Sequence, residues 1–206
     1  MDTKNKFYLS ARFVLVILTK LLFKFQVKGK KNIPKQSGCI IAANHLSYLD
    51  PIVLSIACPR ILNFMAKQEL FKGWFGRLIK TLNAFAVQRG RQDLKAMRFS
   101  LNLLKTGKTL IIFPEGKRSS SGIIGKASSG VGMLAAKTGV DVVPTLITGT
   151  NKVMPVGRNK ITLFQSLSVC FGKPLNFKEM NLDFKSKHDY QYFADCVLES
   201  IKDLQK

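Results

Sequence analysis

An α/β domain with a mostly parallel, helix-covered sheet, preceded by an N-terminal amphipathic and apolar helix, is the fold this sequence predicts. Three observations carry that prediction. Short apolar runs of strand length recur from Cys39 onward, and helical stretches separate the early ones. No low-complexity linker, repeat or composition break divides the chain beyond Phe25. With 206 residues, 46% hydrophobic and 22% charged, the chain is long enough to bury one core without metal or disulfide staples.

The first element is the most apolar stretch, residues 7–25 (FYLSARFVLVILTKLLFKF). A spanning helix needs roughly 20 apolar residues with few charges. This run instead holds Arg12, Lys20 and Lys24 and continues into Lys28, Lys30 and Lys31. No small-residue cleavage site of a secretory signal follows it. The pattern predicts a membrane-interface helix over residues 1–25, with its Leu, Val and Phe side chains in the acyl boundary. Lys20, Lys24 and Lys28 recur at i, i+4 and would share one helical face. A helix packed on its own domain and a spanning anchor are the competing readings.

Residues 26–206 then form the α/β domain. Strands are expected at 39–43, 63–66, 85–87, 109–113 and 142–148, with a further pair at 160–164 and 167–171. Helices are expected at about 51–58, 69–81, 92–106 and 130–138, with a last one near the C-terminus. In such sheets ligands collect beyond the carboxyl ends of the strands.

Charge narrows the partners. Thirty-three Lys and Arg against twelve Asp and Glu give a net charge of +21. That balance calls for an anionic partner, either nucleic acid or an anionic membrane with anionic substrates. The apolar first helix and the lack of a recognisable nucleic-acid motif argue against nucleic acid. The four cysteines, Cys39, Cys58, Cys170 and Cys196, form no C-x-x-C pair, and no His cluster has zinc spacing. They read as small hydrophobes in a reducing compartment, with no metal expected.

The chemistry-bearing segment is IIAANHLSYLDP. His45 falls where the strand runs out, and Asp50-Pro51 has the signature of an N-cap and first helical turn. A turn between strand and helix can bring imidazole and carboxylate together. The carboxylate then fixes the tautomer and supports the imidazolium that forms on proton pickup. The alternatives are a satisfied structural histidine and a plain capping aspartate. The other histidine, His188, lies beside Asp189 in a polar stretch and reads as solvated.

Asn44-His45-Leu46-Ser47-Tyr48-Leu49-Asp50 resembles the N-H-x-x-x-x-D motif of the glycerolipid acyltransferase family. Three further blocks follow in order. Lys67-Gln68-Glu69-Leu70-Phe71, then Phe85-Ala86-Val87-Gln88-Arg89-Gly90, resembles the family's second block. Phe113-Pro114-Glu115-Gly116-Lys117-Arg118-Ser119 resembles F-P-E-G-T-R-S, with Lys117 at the usual threonine. Val143-Pro144-Thr145-Leu146-Ile147 resembles V-P-x-x-I. After Lys67 the chain is shorter than the family pattern and lacks its usual proline near Lys72-Gly73.

The resemblance implies a sheet of the glycerolipid acyltransferase type. It also implies transfer of a fatty acyl group from an acyl thioester, on acyl-carrier protein or coenzyme A, to the sn-2 hydroxyl of lysophosphatidic acid. No cofactor beyond that co-substrate is implied. His45 would be the general base and Asp50 its orienting partner. Lys67, Arg89 and Arg118 would hold the acceptor phosphate, while Glu115 and Gly116 would meet the glycerol. For Glu115 an ion pair with Arg118 is the competing role. With neither G-x-S-x-G nor a low-pKa cysteine setting in the sequence, direct transfer without an acyl-enzyme is expected, Ser47 being the one dissenting candidate. Val143-Pro144 is expected to shape the acyl cleft. Glycerol-3-phosphate, another lysophospholipid or a lyso-aminolipid are alternative acceptors, and a membrane-binding relative without catalysis is a further alternative. The expected location is the cytoplasmic face of an inner membrane, held peripherally or monotopically.

Overall fold

The computed structural model describes residues 3–88, 93–119, 121–158 and 160–206. In chain order the elements are α1 (Thr3–Leu22), β1 (Lys24–Lys28), β2 (Cys39–Ala43), α2 (Asp50–Ala57), β3 (Leu62–Lys67), α3 (Gly73–Thr81) and β4 (Ala84–Val87). There follow α4 (Leu94–Lys105), β5 (Thr109–Ile112), α5 (Gly130–Thr138), β6 (Asp141–Thr148), α6 (Thr150–Val153), β7 (Ser166–Phe171) and α7 (Lys187–Asp203). The strands form one sheet in the order β1-β7-β6-β2-β5-β3-β4. Every neighbouring pair is parallel except β6–β7, which is antiparallel.

β2 shows why the sheet needs helices on both sides. All five of its residues are buried. Ile40 and Ala42 point into a core shared with Leu104 of α4, Leu134 of α5 and Phe193 of α7. Cys39, Ile41 and Ala43 point the other way, onto Val53 and Leu54 of α2. Period-two side-chain alternation in a strand covered twice leaves no polar face, hence the unbroken apolar run.

α1 lies over the α2 side. Tyr8 is buried there, and its phenol oxygen accepts the Leu62 N–H at 3.3 Å. Burial pushes that phenol's pKa up. The opposite side of α1 leaves Phe13, Val14, Ile17, Leu18 and Leu21 exposed. Among the described residues no helix is long and apolar enough to cross a membrane.

The parallel strands put the ends of β2, β5, β3, β4 and β6 along one edge, with His45 just beyond β2. Because Thr148 pairs with Ser168, and Ser166 with Lys24, the starts of β7 and β1 lie at the same edge. The C-terminal end of α1 therefore emerges beside the site.

Charge is unevenly spread along the chain. Six of the twelve acidic residues lie in residues 179–203, in and just before α7. Residues 3–49, which include α1, carry nine Lys and Arg and no acid.

Several expectations need correction. The first helix does not reach Phe25. It stops at Leu22, and 24–28 forms an edge strand whose Phe25 and Val27 pack inward while Lys24 and Lys28 face out. Lys20, Lys24 and Lys28 therefore do not share a helical face. Residues 160–164 are no strand, because Phe164 takes φ 60° and its N–H goes to Leu22 O rather than to a ladder. The expected 69–81 helix is split into a 3-10 turn (Gln68–Phe71) and α3, since Lys72 is extended and Gly73 has φ +59°. Val143 and Pro144 lie within β6, paired with Ile41 and Ala42.

Candidate active site

The site begins with Asn44. Its side-chain amide donates to Ile147 O at 3.0 Å and accepts from Ile147 N at 2.7 Å. A side chain thus continues the β2–β6 ladder, which frees the backbone to turn at His45. The turn is then laced to the loop after β5. The His45 N–H donates to Glu115 Oε1 at 3.1 Å, and its carbonyl accepts from Ser119 N at 2.8 Å.

His45 Nδ1 lies 2.7 Å from Asp50 Oδ2. The same oxygen accepts the backbone N–H groups of Leu46 at 2.6 Å and Ser47 at 2.8 Å. Three donors on one oxygen hold the fully buried carboxylate in place. Asp50 opens α2, but Leu49 holds the N-cap position without a side-chain cap. The aspartate is therefore not the plain helix cap the sequence suggested: its carboxylate reaches back to the preceding turn. With Nδ1–H assigned to the carboxylate, Nε2 carries the lone pair. The imidazole, 7% exposed, stacks on Phe113 with ring centres 3.9 Å apart and planes 13° from parallel. His188 is exposed and 3.2 Å from Asp189, away from this arrangement.

Arg118 lies on the loop that Ser119 ties to His45. Its guanidinium carbon sits 3.5 Å over the ring centre of Tyr48, and Nη1 is buried with no hydrogen-bond partner among the described residues. Glu115 makes no ion pair with Arg118 there. Its second oxygen accepts Gly125 N at 2.9 Å, so both oxygens hold backbone. Gly116 has φ +68°, with open space where a Cβ would stand, so the backbone conformation demands glycine. Lys67 is exposed at the end of β3. Next to it, Gln68 accepts a 2.9 Å bond from Gln88, joining the ends of β3 and β4. Arg89 lies outside the described residues.

Behind the loop is an apolar cavity of about 280 Å³, lined by Met65, Met97, Ile111, Pro114, Val131 and Leu134 among others. Gly116 also touches it, whereas Val143 and Pro144 are not among its lining residues. Ser47 is fully buried and donates to Met154 O at 2.7 Å, so its hydroxyl is engaged away from His45. Among the described residues no group of three or more His, Cys, Asp or Glu side chains could hold a metal ion.

Asn44, Tyr48 and Phe113 lie within the motif blocks, but the sequence alone gives them no role. For Asn44 and Tyr48 the signal was their place inside the His45 block. For Phe113 it was an aromatic at the end of the neighbouring strand.

Known proteins resemble this arrangement in sequence and fold. The family model described as acyltransferase matches residues 24–148. A Bacillus subtilis protein named 1-acyl-sn-glycerol-3-phosphate acyltransferase is 28% identical over 193 residues, 93% of each chain. A chloroplastic protein of the same name from Brassica napus is 31% identical over 160 residues, 74% of this chain. The chain spans 45% of that relative and 44% of a second chloroplastic one from Arabidopsis thaliana, under half their lengths. The crystal structure of the 1-acyl-sn-glycerophosphate acyltransferase PlsC from Thermotoga maritima superposes with a TM-score of 0.75 at 28% identity, covering all of this chain and 84% of that one. The match begins at the first strand and runs to the end of β6, enclosing the His45–Asp50 pair and the loop that carries Arg118, and the chain belongs to the acyltransferase family.

Proposed function

We propose that the chain moves a fatty acyl group from an acyl thioester to the sn-2 hydroxyl of 1-acyl-glycerol-3-phosphate, giving phosphatidic acid. The observation that carries this reading is the His45–Asp50 pair at the carboxyl edge of the sheet, with Nδ1 engaged by the carboxylate and Nε2 left for the substrate. The names of the Bacillus and Thermotoga relatives support the choice of acceptor.

The acceptor hydroxyl gives its proton to His45 Nε2 as its oxygen attacks the thioester carbonyl carbon. The tetrahedral intermediate collapses with cleavage of the C–S bond, and the imidazolium returns the proton to the departing thiolate. Asp50 holds the ring in the required tautomer and stabilises its transient charge. Arg118 receives the phosphate on Nη1, which has no partner among the described residues, with Lys67 and Arg89 as further cations. Glu115 fixes the His45 and Gly125 amides and offers its remaining lone pairs to a glycerol hydroxyl. Gly116 lets the loop turn between that glycerol and the apolar cavity, which takes the acyl chain. The engaged Ser47 hydroxyl supports direct transfer.

The donor is acyl-carrier protein or coenzyme A thioester, both anionic and suited to a +21 chain. The protein works at the cytoplasmic face of an anionic membrane, bound peripherally or monotopically through the first 25 residues, whose helix α1 has an exposed apolar side. The remaining residues, 26–206, form the catalytic domain together with the start of β1 at Lys24 and Phe25.

Thiol release from acyl-coenzyme A or acyl-carrier protein, with and without lysophosphatidic acid, tests the reading in wild type and His45→Ala. Release that requires the acceptor and vanishes in the variant is expected. Release without acceptor in both proteins, or from a panel of other lyso-lipids only, would overturn the proposed reaction.

A further inference from the structure

The segment between α6 and β7 has a tip that nothing in the reaction uses. Phe164 is 72% exposed and holds φ 60°, a left-handed conformation that bulky side chains avoid. Two backbone bonds keep it there: Phe164 N donates to Leu22 O at 2.8 Å, and Lys24 N donates to Gln165 O at 3.1 Å. The tip is thus fastened to the end of α1. Ile161 and Leu163 beside it are exposed as well, and Leu21 across the bond is 70% exposed.

A second apolar corner stands at the same edge. Trp74 is 76% exposed at the start of α3, which touches α1, and Phe75 meets it edge to face at 5.9 Å. Tryptophan, with an apolar body and a polar N–H, favours the boundary between water and lipid. The basic residues around these segments include Lys20, Lys24, Lys72, Arg77, Arg158 and Lys160, all exposed. Residues 3–22, 72–82 and 154–165 contain no Asp or Glu. Apolar tips among mostly cationic side chains, with Glu69 of the Gln68–Phe71 turn the one acid beside α3 in sequence, fit an anionic bilayer.

We infer that the 161–164 tip and the Trp74–Phe75 corner enter an anionic bilayer beside α1, so that the carboxyl edge of the sheet is the face turned to the lipid. This rests on the membrane reading above and deepens it. The chain between site and tip is short: Ser47 binds Met154 O, and ten residues later Phe164 binds Leu22. His45 thereby stands at the lipid boundary, where an acceptor with one acyl chain in the bilayer presents its free hydroxyl.

The sole tryptophan, Trp74, makes the test direct. The full chain is mixed with phosphatidylglycerol–phosphatidylcholine vesicles, with and without brominated acyl chains, and its emission is recorded. The double variant Trp74→Phe/Phe164→Trp moves the probe to the tip, with circular dichroism checking its fold. Both probes are expected to shift blue and be quenched by the brominated lipid, and Phe164→Ser to weaken partition by about tenfold. If the wild-type chain sediments with the vesicles while both probes keep their solvent emission, the inference falls and α1 alone carries binding. If the wild-type chain does not bind anionic vesicles at all, the inference and the membrane reading fall together. Should the double variant not fold, Trp74 in the wild type still decides the matter.

Discussion

The guanidinium carbon of Arg118 sits 3.5 Å above the ring centre of Tyr48, two segments 70 positions apart in the chain. The ring takes one face of the cation, and the buried Nη1 has no hydrogen-bond partner among the described residues. Tyr48→Ala is expected to raise the acceptor KM by about threefold to thirtyfold, the worth of a cation–π contact, with donor KM unchanged. Tyr48→Phe keeps the ring and should stay close to wild type. Equal losses in both variants would mean that the hydroxyl, not the ring, holds Arg118.

Asp50→Asn separates charge from shape. An amide can still accept from the Leu46 and Ser47 N–H groups but offers Nδ1 poorer support and invites the wrong tautomer. Activity is expected to fall by roughly a thousandfold or more with the fold retained. Asp50→Ala leaves three buried donors unpaired, so a lower Tm should accompany its loss of turnover. Parallel thermal melts and kinetics of the two variants check both statements.

Asn44 makes a stability prediction. Asn44→Ala strips partners from the Ile147 N–H and carbonyl, two buried backbone groups, and should cost about 2–4 kcal/mol in a denaturant melt. Asn44→Asp should do no better, because it sets one oxygen against the Ile147 carbonyl. A melt unchanged in either variant would show that the amide is dispensable to the ladder.

Cys58 is buried, and burial pushes its thiol pKa from 9.0 up to about 11. The folded protein therefore favours the protonated thiol. Its contribution to stability is whole below pH 9 and is lost as pH rises towards 11, where the unfolded chain ionises first. Cys58 and Cys39, also buried and also raised, should react with a thiol reagent only on unfolding. Counting thiols modified at pH 8 with and without denaturant tests this, and four fast-reacting thiols in the native protein would contradict it.

How far the sequence was legible depended on how local each feature is. β2 and α5 lie where they were expected, because an unbroken apolar run and a helical pattern each close within one segment. β1 was hidden because Phe23, Phe25 and Val27 prolong the apolar run of α1, and Lys24 and Lys28 fit a four-residue helical spacing as well as alternation in a strand. Residues 160–164 have strand-like composition, but Phe164 in a left-handed turn is a tertiary outcome that no local preference announces. The His45–Asp50 pair was readable because both members sit in one short turn. Asn44 with Ile147, Ser47 with Met154 and His45 on Phe113 join positions more than 60 residues apart, and only the assembled sheet reveals them.

The uneven spread of charge along the chain bears on how the molecule arrives where it works. With half of its acids in and before α7 and none in residues 3–49, its electrostatic centre is displaced from its centre of mass. A body charged in this way feels a torque as well as a pull near a negative sheet, within a Debye length of ~8 Å at physiological ionic strength. Rotational alignment therefore precedes touching, and fewer collisions are spent on the wrong side.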